Sequence, residues 1–129
     1  MTQSNPSFNI ESRLVREEPA VAELTLSGRL DAEALPDVLV RIEEARKNGC
    51  LRFLVDLDRV TFIGSAGIGI FLSLVEEMKG ERGGVVFLRV PQSIQRIFEV
   101  LNVLEFLEIR DDEEDAVRRL LSPENVSTC

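Results

Sequence analysis

Polar and apolar positions alternate along the first part of the chain. Phe8 to Leu14 and Val21 to Ser27 ("VAELTLS") carry the period of two of a half-buried strand, and "VREEP" between them reads as a turn. Ser27-Gly28-Arg29-Leu30-Asp31 breaks that alternation. From Glu33 to Asn48 the residues Leu35, Val38, Leu39, Ile42 and Ala45 recur at helical spacing, and Asn48-Gly49 supplies the left-handed stop. Leu51 to Leu57 ("LRFLVDL") is almost continuously apolar, as a strand covered on both faces requires. Ile68, Phe71, Leu72, Val75 and Met78 then predict a second helix that ends near Lys79-Gly80. Val85 to Leu88 is a further buried strand, Ile94, Ile97, Phe98 and Leu101 mark a third helix, and Phe106 to Ile109 is a short last strand. Asp111 to Leu121 opens with acidic residues and carries Arg118 and Arg119 late, the order that the helix dipole favours.

Strands alternating with amphipathic helices predict an α/β fold. The expectation is a single domain over residues 8–121, with a mixed, mostly parallel sheet of about five strands and about four helices. The first strand should pair antiparallel with the second as a hairpin. Residues 1–7 and the polar segment 122–129 are expected to be flexible.

Composition narrows the chemistry. A chain of 129 residues with 44% apolar residues suits one compact core. Twenty-three acidic against fifteen basic residues leave a formal charge of −8, which disfavours nucleic acid and anionic membranes as partners and suits a basic protein surface. No apolar run approaches the roughly 18 residues that span a bilayer. The start "MTQSNPSFNI" has neither the basic segment nor the apolar core of a signal peptide, so the protein is expected in the cytoplasm. Cys50 and Cys129 lie far apart without metal-ligand spacing and are read as free thiols. Histidine is absent, which excludes Ser-His-Asp and Cys-His catalysis and histidine-based zinc sites. Neither a metal nor a cofactor is expected.

The glycine-rich stretch "FIGSAGIGIF", Phe62 to Phe71, lies where a strand gives way to a helix. Residues 64–69 run G-x-x-G-x-G, the wrong order for a dinucleotide fingerprint. A phosphate-binding P-loop needs a lysine and a hydroxyl residue after its last glycine, but Gly69 is followed by Ile70 and Phe71. A nucleophile elbow needs G-x-S-x-G and a histidine. What remains is Ser65 at a helix start. There it can act as a cap worth about 1 kcal/mol, or as a hydroxyl whose phosphate the helix terminus would tolerate. If the strands ending at Ser27 and Leu57 are parallel neighbours, Asp31 projects from the same sheet edge as Ser65, the edge where open α/β sheets bind ligands. Asp31 has a plainer reading as a cap or turn residue. Asp56, near the end of a central strand, suggests a phosphorelay receiver. The segments Leu14-Val15-Arg16 and Ile109-Arg110-Asp111 lack the acidic pair and the lysine which that chemistry needs, so Asp56 is read as structural.

"LSGRLD" at 26–31, "LVDLDRVTFIGSAGIGIFL" at 54–72 and "PQSIQRIF" at 91–98 resemble, in order and spacing, the STAS domain of bacterial anti-sigma factor antagonists. The resemblance covers roughly residues 8 to 120. It implies a regulatory protein, not an enzyme, that binds an anti-sigma factor serine kinase and so frees a sigma factor. Phosphorylation of the matching serine, Ser65, would end that binding, and a PP2C-type phosphatase would restore it. The chain would be a monomer or weak dimer. Gly28 and Asp31 match a second family motif, and Gly67 matches the glycine that lets the partner's backbone approach. The expected partner surface comprises Gly28, Asp31, Thr61, Phe62, Gly64, Ser65, Ala66 and Gly67, with Gly69 and Ser73 either leaving room on the exposed side of the second helix or standing there as ordinary helix positions. One position departs from the pattern, because members usually carry aspartate directly before the serine and this chain has Gly64. A STAS adaptor or scaffold subunit of a signalling or transport complex, working without phosphorylation, is the alternative.

Overall fold

The computed structural model describes residues 7–122. Apart from Ser7 and Ser122, the ends expected to be flexible lie outside the described residues, as does Cys129. Strands β1 (Phe8–Glu17), β2 (Ala20–Leu30), β3 (Arg52–Ile63), β4 (Gly84–Leu88) and β5 (Glu108–Arg110) form one sheet in that spatial order. Helix α1 (Leu35–Lys47) follows β2, α2 (Ser65–Gly80) follows β3, α3 (Gln92–Val100) follows β4, and α4 (Glu113–Leu121) follows β5. Only β1 runs antiparallel to its neighbour; β2, β3, β4 and β5 are parallel, as the alternation of elements predicts.

The sheet is covered on both faces. Phe53, Val55 and Leu57 of β3 join Val85 and Phe87 of β4 beneath Val38 and Ile42 of α1, Ile68, Phe71 and Leu74 of α2, and Ile94 and Phe98 of α3. The rings of Phe71 and Phe87 meet with centroids 5.0 Å apart. The opposite, smaller core packs Val21, Leu54, Val86 and Leu88 against Ala116 and Leu120 of α4. This explains the almost continuously apolar run in β3, where every residue from Phe53 to Leu57, Asp56 included, is buried.

Several boundaries move. β3 continues six residues past Leu57, to Ile63, because its last part pairs with an equally extended β2: Arg29 stands opposite Phe62 and Leu30 opposite Ile63. Asp58 and Arg59, both exposed, interrupt the apolar pattern without ending the strand. β1 and β2 meet at a tight turn of Glu18 and Pro19. The short last strand is Glu108–Arg110, and Phe106 lies instead in a 3-10 turn, 58% exposed. Leu39 and Leu101, expected on buried helix faces, are exposed, while Leu72 is half-buried and Leu74 takes the inward position on α2.

Candidate functional site

The parallel ends of β2 and β3 fix the loop that carries Ser65. The Gly64 N–H donates to the carbonyl of Leu30 at 3.0 Å, tying the residue after β3 to the last residue of β2. Gly64 is extended (φ −93°, ψ 172°) and is the N-cap of α2. Its carbonyl accepts the N–H of Ile68 at 3.1 Å, the first bond of the helix. Ser65 is therefore the first helical residue, not the cap, and its side chain is exposed. The backbone N–H groups of Ser65, Ala66 and Gly67 have no intrahelical partner, and the positive end of the helix dipole meets them.

The two matched glycines beside it have internal reasons. Gly67 is buried, and a Cβ there would stand 3.1 Å from Leu30 Cγ and 3.3 Å from Ile63 Cγ1. Within the chain, the close approach it allows is that of α2 onto the ends of β2 and β3. Gly28 has φ +93°, and a Cβ would overlap the carbonyl oxygen of Ser7, which accepts the Arg29 N–H at 2.8 Å. Gly64 is different: a Cβ would sit 3.6 Å from Phe62 Cε2, in ordinary contact, so a side chain fits there.

Asp31 and Ser65 do emerge at the same edge of the sheet. Asp31 Oδ1 accepts the Glu33 N–H at 3.2 Å, capping the 3-10 turn Ala32–Ala34, as its plainer reading expects. Arg29, not singled out in the sequence, lies with its guanidinium carbon 4.2 Å from the centre of the half-buried Phe62 ring. Thr61 and Ala66 are exposed, as are Gly69 and Ser73 further along α2. Gly69 and Ser73 border a groove between α1 and α2 whose apolar lining includes Leu35, Leu39, Ile42, Ala66 and Ile70. Leu39 thus has an exposed but apolar setting that its helical spacing alone does not reveal. At the far end, Arg46 bridges the helices by pairing with Glu77 at 3.5 Å and Glu81 at 2.6 Å.

Asp56 faces the other side of the sheet. It is buried, accepts the Asp58 N–H at 3.0 Å, and pairs with Arg89 at 2.9 Å, which holds the guanidinium even more firmly protonated. Buried Glu23 is pushed above the usual carboxylate range by desolvation and by the charge of Glu113, against the opposing pull of Arg13 at 2.8 Å. Burial likewise pushes up the thiol of Cys50, which is free. Among the described residues no cluster of Cys, Asp and Glu is placed to hold a metal ion, and no helix is long and apolar enough to cross a membrane.

Residues 14–108 match the family described as "Mlab, STAS domain". The chain belongs to the STAS domain family. Among relatives of this STAS domain is the anti-sigma-B factor antagonist of Listeria monocytogenes, 21% identical over 106 residues that make up 82% of this chain and 93% of that one. The same fold recurs in the anti-sigma factor antagonist SpoIIAA in its unphosphorylated form, with 20% identity and a TM-score of 0.72 over 86% of this chain and 95% of that one. The phosphorylated form of SpoIIAA, a Bacillus cell fate determinant, matches with 20% identity and a TM-score of 0.67 over 86% and 98% of the two chains.

Proposed function

We propose that this STAS domain is a cytoplasmic anti-sigma factor antagonist that acts by binding and not by catalysis. In its unmodified form it docks on an anti-sigma factor serine kinase through Thr61, Phe62, Gly64, Ser65 and Ala66, with Gly69 and Ser73 of the adjoining groove. Asp31 borders that surface, and Gly28 and Gly67 support it from within. The observation that carries this reading is Ser65: an exposed first helical residue whose hydroxyl does not serve as the helix cap, because Gly64 occupies that place.

The switch follows from charge. The kinase transfers the γ-phosphoryl group of ATP to Ser65 Oγ, takes up the hydroxyl proton and releases ADP. The product carries about −1.5 to −2 charges at one point of a fitted surface. An unpaired charge in such an interface costs several kcal/mol, enough to weaken binding by orders of magnitude. The helix terminus accommodates the same charge in the free protein, so release does not require unfolding. A PP2C-type phosphatase hydrolyses the phosphate and restores the binding form. The second reading, an adaptor that works without phosphorylation, draws on Gly64 standing where relatives usually have aspartate.

Retention of proteins from parent-cell lysate by Ser65→Ala and Ser65→Glu baits, read by mass spectrometry, tests this. A kinase-fold protein held by the alanine bait and reduced at least about 100-fold on the glutamate bait is the expected result, a loss of roughly 2.7 kcal/mol or more. The same partner held equally by both baits would sink the switch and favour the adaptor.

A further inference from the structure

Arg29 is held by a ring contact and one loose ion pair. Its guanidinium rests on the Phe62 ring, 4.2 Å from the centroid. Its Nε pairs with Asp31 Oδ2 at 3.7 Å, an ion pair too long for a hydrogen bond, and the side chain is 51% exposed. The other Asp31 oxygen is occupied by the Glu33 N–H. Arg29 and Phe62 are register partners on β2 and β3, so the ring keeps this cation at the strand ends, beside the loop. The edge of the same ring faces Gly64, where a Cβ would be 3.6 Å from Phe62 Cε2, and Ser65 is the next residue. A side chain at position 64 would enter the space beside Phe62. Glycine leaves that space open.

We infer that Arg29, parked on Phe62, is the cation that captures a phosphate carried by Ser65 across the space left by Gly64. This rests on reading Ser65 as the modified residue. A phosphoserine dianion offers three acceptor oxygens and about twice the charge of Asp31, and the planar guanidinium fork matches it with two N–H groups. The exposed side chain is free to turn from the ring toward it. Phosphorylation would then change the docking surface twice: a negative charge appears at Ser65, and the cation leaves Phe62, baring an aromatic face.

The test uses the full chain with phosphoserine installed at position 65 during translation, so that no kinase is involved. Phosphorus NMR over a pH series reports the second ionisation of the phosphate, which lies near about 6 in the absence of partners. A nearby guanidinium should lower it by about half a unit or more. Arg29→Gln is expected to return it toward the unpartnered value. Arg16→Gln, at the opposite end of β1 and β2, is expected to leave it where the wild type has it. The same titration in the wild type and Arg29→Gln, or an equal rise in Arg16→Gln, would overturn the inference. Because the phosphate is supplied without a kinase, that failure would leave the proposed function standing. Conversely, a kinase that ignores Ser65 would not alter this titration.

Discussion

The starts of α2 and α4 solve the same problem in opposite ways. At α4 the Asp112 side chain accepts the Asp115 N–H at 2.9 Å, Glu113, Glu114 and Asp115 fill the first turn, and Arg118 and Arg119 sit in the last. Every term favours a helix of nine residues that buries only Ala116 and Leu120. At α2 the cap is a glycine, the first turn holds no acidic residue, and a serine is exposed at the first position. That helix has sixteen residues and buries Gly67, Ile68, Phe71, Leu74 and Met78. Packing holds α2, so its start can be left uncompensated, with free N–H groups and a positive dipole end available to an anion. The shorter α4 buries less and carries a side-chain cap and a favourable charge order instead.

This contrast breaks if α2 does not depend on its buried face. Leu74→Ala should lower unfolding stability in denaturant by about 3 kcal/mol. Leu72→Ala, on the half-buried side of the same helix, should cost only about 1 kcal/mol. Equal losses would mean that α2 is not anchored as described. At the other helix, Asp112→Ala should cost about 1 kcal/mol, seen as a lower thermal midpoint. No change there would show that α4 does not need its cap. Gly64→Asp is accommodated at the start of α2, since the backbone there is already extended and a Cβ meets only ordinary contacts. Aspartate should cap α2 and stabilise the fold by about half a kcal/mol. Destabilisation would mean that the glycine is required for the turn itself.

The smallest effect is a slope. The acidic start of α4 presses Glu113 on buried Glu23, whose other charged neighbours are Arg13 and Asp56. With its folded-state pKa raised, Glu23 binds its proton more tightly in the folded protein than in the unfolded chain. Its contribution is therefore fully present below the ordinary value of 4.5 and is lost as pH rises through the folded value. Denaturation curves across that window should show the wild type losing stability relative to Glu23→Gln as pH increases. Parallel pH profiles would argue that Arg13 fully offsets the burial.

Much of this was readable from local pattern. The periods of two and of 3.6 located the strands and helices, the almost continuous apolar run of β3 announced burial on both faces, and the strand-to-helix change put Ser65 at a helix start. Such signals arise because the side chains alternate or wind with the backbone, and the core selects one face. Only the assembled sheet decided that β3 runs on to Ile63, since that extension depends on pairing with the end of β2, far away in sequence. It also decided that Gly64 and not Ser65 is the cap, through the Leu30 carbonyl, and that Gly67 serves internal packing. The exposure of Leu39 beside α2 and the seat of Arg29 on Phe62 belong to the same class. Each is a contact between segments that the chain brings together only on folding, so its energy leaves no periodic trace in the sequence.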